Sequence, residues 1–335
     1  MKLREVLSEL PPFAGEYFRG IMASTSTKTR LSYAYDIRVF FRFLKERNPA
    51  YRDTPLNGFE IGILDLITAQ DIEEFIEYLK VYRGADSSLV TNQERGLKRK
   101  MSALRSFYAY YFRHGLIKTN PTLMVDMPKI HEKAIVRLDA DEVAMLLDHI
   151  EHCGDSLKGQ SKIYYEKTRD RDLALVTLLL GTGIRVSELV GLDINDVDFR
   201  NNAIKVVRKG GNEAIVYFGE EVEKTLKNYL TLRKGQNALP GNEDALFLSS
   251  QKKRIGVRAV ENLVEKYASH ITTVKKITPH KLRSTYGTAL YHETGDIYLV
   301  ASVLGHKDVN TTKKHYAAMD EFSKRKAANA VKLRN

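Results

Sequence analysis

Four short segments in the second half of the chain carry side chains that could act on a phosphodiester. Arg185 follows a glycine-rich turn at the expected start of a helix, where free backbone N–H groups favour an anion. His280 and Arg283 are one helical turn apart, so both project from one face of a helix that a Thr-Pro pair begins. The other candidates are a lysine in a hairpin turn, a histidine after a Leu-Gly pair and a tyrosine ten residues later: Lys209, His306 and Tyr316.

Together these residue types fit phosphoryl transfer. Two arginines can clamp the non-bridging oxygens of a phosphodiester and offset the charge that develops there. A tyrosine hydroxyl can attack phosphorus and hold it covalently, but its ordinary pKa of about 10 means that a base such as histidine must take its proton. A lysine can protonate the leaving oxygen. The sequence has no HExxH motif and no close set of acidic residues beside these positions, so it does not point to a metal site.

Each segment is a weak signal by itself, but their ordered combination is specific. A Gly-Thr-Gly turn also ends ordinary helices, a turn lysine is usually solvated, and a lone histidine or tyrosine is usually core packing. The segments GTGIRVSEL, RKGG, HKLR and LGH with the later tyrosine resemble the motifs of the tyrosine recombinase (phage integrase) family, including Xer-type and Cre-like enzymes. The resemblance covers nearly the whole chain.

The resemblance implies a role for each candidate. Tyr316 would be the nucleophile that forms a 3′-phosphotyrosyl link with DNA, and Lys209 would be the general acid for the 5′-hydroxyl. Arg185 and Arg283 would clamp the scissile phosphate. The remaining positions match an acid/base histidine, a histidine that hydrogen-bonds the phosphate, and an acid that supports the helix of the first arginine: His280, His306 and Glu188, in that order.

The sequence departs from the family pattern in three places. The spacing from His306 to Tyr316 is one residue longer than in most members, although no other tyrosine follows His306. The hairpin has RKGGNE where GKGxK is more usual. Residues 152–171 form a polar, charged stretch before the first arginine motif, and we interpret that stretch as a mobile insertion.

The function implied by the resemblance is site-specific DNA recombination without a metal ion, ATP or another cofactor. Double-stranded DNA with an inverted-repeat site would be the partner, and a homotetramer would join two duplexes through a Holliday junction. Integration or excision of a mobile element and resolution of chromosome dimers both fit. The alternatives are a type IB topoisomerase-like enzyme, which uses a similar residue set, and a DNA-binding protein that has lost catalysis.

Composition agrees with a nucleic-acid partner. The 335 residues carry 53 Lys+Arg against 42 Asp+Glu, a net charge of +11, which favours a polyanion: nucleic acid first, an anionic membrane surface second. The single cysteine, Cys153, excludes an internal disulfide and fits a reducing compartment. The apolar runs are too short for a membrane span and the N-terminus is unlike a signal peptide, so we expect a cytoplasmic protein without membrane contact.

The elements that must position these residues form two expected domains. The fold class is mainly α, with a small β-sheet or hairpin in the C-terminal domain. The resemblance implies that residues 1–131 are a helical core-binding (SAM-like) domain that contacts DNA, and that residues 132–335 are the catalytic domain with its C-terminal tail. Because the first clear helix begins near residue 27, we expect no additional arm-binding domain. Residues 83–92 are interpreted as a polar link.

One helix of the first domain has a basic face. Over residues 93–114 an apolar-aromatic stripe alternates with basic residues, and a solvated surface is the ordinary explanation of such a helix. The resemblance favours DNA contacts instead, and the predicted DNA-binding residues are Arg95, Lys98, Arg99 and Arg105. The segment after Tyr316 has a sparse apolar face, and the resemblance implies that it packs on a neighbouring protomer.

Overall fold

A computed structural model describes residues 2–84, 87–131, 136–208, 210–306 and 309. The chain divides into two compact units, Met1–Lys133 and Ala134–Asn335. The boundary predicted from sequence, between residues 131 and 132, lies two residues before this division. Lys209, Tyr316 and the C-terminal tail lie outside the described residues.

The first unit is a helical bundle with an aromatic core. Its helices are Lys2–Glu9 (α1), Ala14–Gly20 (α2), Thr27–Arg47 (α3), Ile63–Leu66 (α4), Ala69–Lys80 (α5) and Glu94–Arg113 (α6). Phe107 of α6 meets Tyr17 of α2 edge to face, with ring centroids 5.1 Å apart. Such edge-to-face pairs are a preferred geometry of aromatic rings and contribute packing energy beyond their buried area.

Two helices precede the segment where the sequence predicts the first one. In α1 and α2 and directly after α1, the residues Val6, Leu10, Ala14 and Tyr17 are all buried in the core of the first unit. Their spacing of three to four residues is helical, but Pro11-Pro12 interrupts it, so the pattern does not stand out in the sequence.

Local signals place most helix ends of this unit where the sequence predicts them. Thr68 caps α5, since its hydroxyl accepts from the Asp71 amide at 3.3 Å and Asp71 Oδ2 accepts from the Thr68 amide at 2.8 Å. Gly115 follows α6 with φ +66°, a left-handed conformation that glycine adopts without strain.

The interpretation of residues 83–92 as a polar link is wrong at its ends. Val81–Arg83 (β1) and Leu89–Thr91 (β2) form an antiparallel hairpin in which Val81 pairs with Thr91. The strands are three residues long and have no buried face, so they lack the alternation of apolar and polar residues that marks a strand in sequence.

In the second unit, helices and one face of a small sheet share a hydrophobic core. The helices are Ala140–His152 (α7), Gly159–Thr182 (α8), Val186–Gly191 (α9), Glu220–Lys234 (α10), Val257–Ala268 (α11), Pro279–Thr294 (α12) and Ile297–Leu304 (α13). The antiparallel sheet, in the order β3-β4-β5, consists of Val197–Asp198 (β3), Ala203–Val207 (β4) and Glu213–Tyr217 (β5). The prediction of a mainly α fold with a small sheet in this part of the chain is confirmed.

The interpretation of residues 152–171 as a mobile insertion is wrong. After a 3-10 turn at Cys153–Ser156, helix α8 begins at Gly159 and continues without a break through the buried segment to Thr182. Tyr165 is buried, and its hydroxyl donates to Ile150 O at 3.0 Å. In the first half of α8 the buried residues are Tyr165 and Thr168, so this part of the helix shows no apolar stripe in the sequence.

Among the helices of the described residues, none combines the length and the apolar character needed to cross a membrane.

Candidate active site

Arg185 lies directly before α9, in the turn that joins α9 to α8. Gly183 ends α8 with φ +62°, and a Cβ at this position would collide with the ring of Tyr286. Glu188, which is buried, accepts from the Arg185 amide through Oε2 and from the Arg185 guanidinium through Oε1, both at 2.8 Å. The glycine therefore shapes the turn and Glu188 holds the arginine in it.

Arg283 joins the same turn from the first half of α12. Its side chain is buried, and Nη1 donates to Gly183 O at 2.5 Å while Nη2 donates to Leu304 O at the end of α13. His280 lies one turn earlier on α12 and is exposed. Arg283 thus connects the turn that carries Arg185 with the C-terminal end of α13.

The end of α13 is the point where the arginines meet. Gly305 has φ +62° and ψ +47°, and the chain turns there into His306, whose amide donates to Ala301 O at 2.9 Å. Three successive carbonyls of this turn each accept from a guanidinium: Val303 from Arg208 at 3.1 Å, Leu304 from Arg283, and Gly305 from Arg185 at 3.3 Å. The last carbonyls of a helix lack partners within the helix and attract positive charge.

Arg208 is the member of this group that the sequence analysis did not identify. It directly follows β4, and its guanidinium lies so close to the Cα of Gly305 that a Cβ there would collide with it. The signal was present, because the arginine stands in the hairpin motif at a position where the usual pattern has glycine. Its partners are almost 100 residues away, so spacing could not reveal them.

Of the six predicted catalytic residues, the structure brings Arg185 and Arg283 to one turn, and His306 follows that turn directly. His280 shares a helix with Arg283. Burial raises the pKa of Tyr286, which packs beside Gly183. The described residues include no cluster of three or more His, Cys, Asp or Glu suited to a metal ion.

Comparison with known proteins identifies the family. Residues 136–322, more than half of the chain, match the model of the phage integrase family. The chain belongs to this family.

Relatives with curated names agree. The chain is 34% identical over 332 residues to tyrosine recombinase XerC of Caldanaerobacter subterraneus subsp. tengcongensis, covering 95% of this chain and 86% of the relative. It is 30% identical over 339 residues to tyrosine recombinase XerS of Streptococcus thermophilus, covering 93% of each. The protein is a site-specific recombinase, and these relatives favour that function over a topoisomerase or a silent DNA-binding protein.

The fold of the recombinase has counterparts among solved structures. The Tn1549 transposon integrase in complex with circular intermediate DNA superposes with a TM-score of 0.64 at 20% identity, over 90% of this chain and 93% of the integrase. At this identity the likeness concerns the fold. It covers the greater part of the chain and supports the two-domain architecture of tyrosine recombinases.

The four predicted DNA-binding residues of α6 differ in what they contact. Arg95 and Lys98 are exposed. Arg99 forms a two-point ion pair with the buried Asp36, with Nη2 2.8 Å from Oδ1. Arg105 donates to two backbone carbonyls of its own unit, Thr122 O at 3.1 Å and Val125 O at 2.5 Å. The last two therefore contribute to holding the first unit together.

Proposed function

We propose that the recombinase cuts and rejoins duplex DNA at a specific site through a covalent link between Tyr316 and a 3′-phosphate. The observation that carries the proposal is the convergence of Arg185 and Arg283 on the turn that leads into His306. A tetrahedral phosphate has two non-bridging oxygens, and two planar guanidiniums at one point can bind both. Residues that must act on one phosphate thus lie together although they are up to 121 positions apart in sequence.

Each step of the reaction has an assigned group. The Tyr316 oxygen bonds to phosphorus while the bond from phosphorus to the 5′-oxygen breaks, and Lys209 gives that oxygen its proton. His280 acts as base and acid: it takes the proton that the Tyr316 hydroxyl loses and returns it when the DNA is rejoined. His306 hydrogen-bonds the phosphate. Arg185 and Arg283 offset the charge that develops on the non-bridging oxygens. Rejoining is the same chemistry in reverse, with the 5′-hydroxyl of the partner duplex as nucleophile, so the bond energy is conserved.

The assembly that performs this reaction is a homotetramer that joins two duplexes through a Holliday junction in the cytoplasm. Each duplex carries an inverted-repeat site that binds two protomers. The net charge of +11 supports a DNA partner, since basic residues that neutralise phosphates release counterions. The biological outcome is integration or excision of a mobile element, or resolution of chromosome dimers.

Trapping the covalent intermediate tests the proposal. A binding site is first selected from duplexes with randomised half-sites in inverted repeat, and a nick is then placed so that the 5′-hydroxyl fragment diffuses away after cleavage. We expect the wild type to form a protein–DNA adduct on a denaturing gel. Tyr316→Phe removes only a hydroxyl, so it should bind the site normally and form no adduct. Tyr298→Phe, at an exposed tyrosine of α13, is the matched control and should form adduct like the wild type.

Two results would contradict the assignment. Adduct formation by Tyr316→Phe at the wild-type rate would place the nucleophile elsewhere. Efficient relaxation of supercoiled DNA that lacks the selected site would favour a topoisomerase.

Removal of the C-terminal tail tests the tetramer. Truncation before Ser323 should leave binding of one protomer to a half-site intact and weaken cooperative filling of the second half-site, together with strand exchange. Gel-shift titrations of half and full sites give both values. If the truncated chain pairs sites and recombines like the full chain, the tail does not couple the protomers.

A further inference from the structure

Arg208 begins the turn of the β4–β5 hairpin, one peptide bond before Lys209. Its amide donates to Asn212 O at 2.7 Å, and its carbonyl accepts from the Gly211 amide at 3.1 Å. These backbone bonds define where the turn starts. They do not fix the turn relative to the rest of the second unit, because both partners belong to the same hairpin.

The side chain of Arg208 provides that connection. Nη2 donates to Val303 O at 3.1 Å, and the guanidinium rests on the Cα of Gly305, where any other residue would collide with it. Nε is buried and has no hydrogen-bond partner among the described residues. Within the same part of the chain, Arg208 pairs with no carboxylate, so its contact with the α13 end is not a by-product of an ion pair.

The neighbouring strands need such an anchor. At the turn end of the hairpin, Val207 has 58% of its surface accessible and its strand partner Glu213 is exposed, so apolar packing holds this end weakly. The turn contains Gly210 and Gly211, both at positive φ. Glycine has more backbone freedom than any other residue, so this turn is intrinsically flexible. A side chain that crosses from the strand end to α13 restricts that freedom.

We propose that Arg208 is a positioning residue that ties the hairpin turn to the Gly305 turn, so that the general acid and His306 act on the same phosphate. The inference rests on the proposed function of Lys209 as general acid. The geometry that carries it involves Arg208, Val303 and Gly305 alone, and Lys209 enters through its peptide bond to Arg208. Proton transfer is sensitive to small displacements of the donor, so a loosened anchor slows the step that needs the proton.

Two substrates distinguish positioning of the general acid from a direct effect of the Arg208 charge on cleavage. The nicked duplex described above is made with oxygen or with sulfur in the bridging 5′ position of the scissile phosphate. A thiolate leaves without being protonated, so the sulfur substrate does not need the general acid. Cleavage is measured in single turnover at saturating protein, where differences in DNA affinity do not enter.

Arg208→Met keeps the length of the side chain and removes its hydrogen bonds and charge. We expect it to cleave the oxygen substrate about 10- to 100-fold more slowly than the wild type, while cleavage of the sulfur substrate is little changed. Arg208→Lys keeps the charge and should also slow cleavage of the oxygen substrate only, by a smaller factor. If Arg208→Met fails to fold, the comparison is made with Arg208→Lys. Lys205→Met removes a cation of the same hairpin, one that contacts Asp196 and Glu213, and should resemble the wild type on both substrates.

Lys209→Ala, measured in parallel, shows whether a negative result contradicts the positioning role of Arg208 or the assignment of Lys209 as general acid. If sulfur rescues Lys209→Ala but both Arg208 variants cleave the two substrates with equal defects, Arg208 acts on the phosphate or through charge, and the positioning role is overturned. If sulfur does not rescue Lys209→Ala, the lysine is not the general acid, and the inference falls together with that assignment.

Discussion

Two groups of arginines in this recombinase are both held by hydrogen bonds, yet their arrangements differ. On α6, Arg99 and Arg105 start from one helix and diverge, one to the buried Asp36 and the other to two carbonyls. Around Gly305, the arginines start from three separate elements and converge on three successive carbonyls: Arg185, Arg208 and Arg283.

The difference shows what a basic cluster in a sequence can mean. Arginines that diverge bind separate partners within the domain and stabilise its fold. Converging arginines concentrate charge at one point, and a concentrated positive potential attracts a phosphate. Glu188 neutralises one of the three guanidiniums at the turn, so these four side chains together carry a net charge of 3 − 1 = +2.

The largest effect is expected from the arginines assigned to the phosphate. Arg283→Ala and Arg185→Ala should each reduce single-turnover cleavage by about 100- to 1,000-fold, because each removes a donor that stabilises transition-state charge. Lysine at either position should rescue poorly, since it lacks the planar fork. Because Arg283 is buried and Arg185 pairs with the buried carboxylate of Glu188, each alanine variant should also lower the free energy of unfolding, by about 1–3 kcal/mol. Full activity in a lysine variant would contradict two-point binding of the phosphate.

A smaller effect is expected from the turn on which the arginines converge. Gly305→Ala places a side chain at φ +62°, at a cost of about 1–2 kcal/mol, and pushes the Arg208 guanidinium away. We expect cleavage to fall about 10- to 100-fold, since the groups around the turn are displaced together. Gly241→Ala also places a side chain at positive φ, +79°, but with open space around it, so this matched control should cleave normally. If Gly305→Ala and Gly241→Ala reduced the cleavage rate equally, backbone strain would explain the defect, and displacement of the arginines around Gly305 would not.

On α6, the arginine bonded to carbonyls should affect stability more than DNA binding. Arg105→Ala leaves the carbonyls of the buried Thr122 and Val125 without this donor, so it should lower the free energy of unfolding by about 1–3 kcal/mol. Denaturant unfolding gives this value, and cleavage at saturating protein should remain close to that of the wild type. A loss of DNA affinity with unchanged stability would instead place Arg105 on a phosphate, as the sequence predicts.

The smallest effect is expected from an exposed lysine of the same helix. If Lys98 contacts one phosphate, Lys98→Ala should reduce the slope of log binding constant against log salt by about 0.9 and leave stability unchanged. Lys224→Ala, at an exposed lysine of α10, controls for the loss of one charge and should not change the slope. Identical slopes for the wild type and Lys98→Ala would mean that Lys98 is simply solvated.

Features encoded by neighbouring residues were predictable from the sequence. Thr68 and Asp71 fix the start of α5 because a capping box needs only residues three apart, and Gly115 ends α6 because glycine tolerates a left-handed turn. The order of the short motifs identified the family, since each motif is local and their combination is rare.

Features that depend on contacts between distant residues were not predictable in this way. The first half of α8 packs through Tyr165 and Thr168 and has no apolar stripe, so its sequence resembles a polar insertion. Spacing alone could not show that Arg105 bonds to its own domain, or that Arg208 reaches Val303 across 95 residues. Amino-acid types and short spacings determine which chemistry is available, whereas tertiary packing decides which charges meet, because only the folded chain brings distant groups within hydrogen-bonding distance.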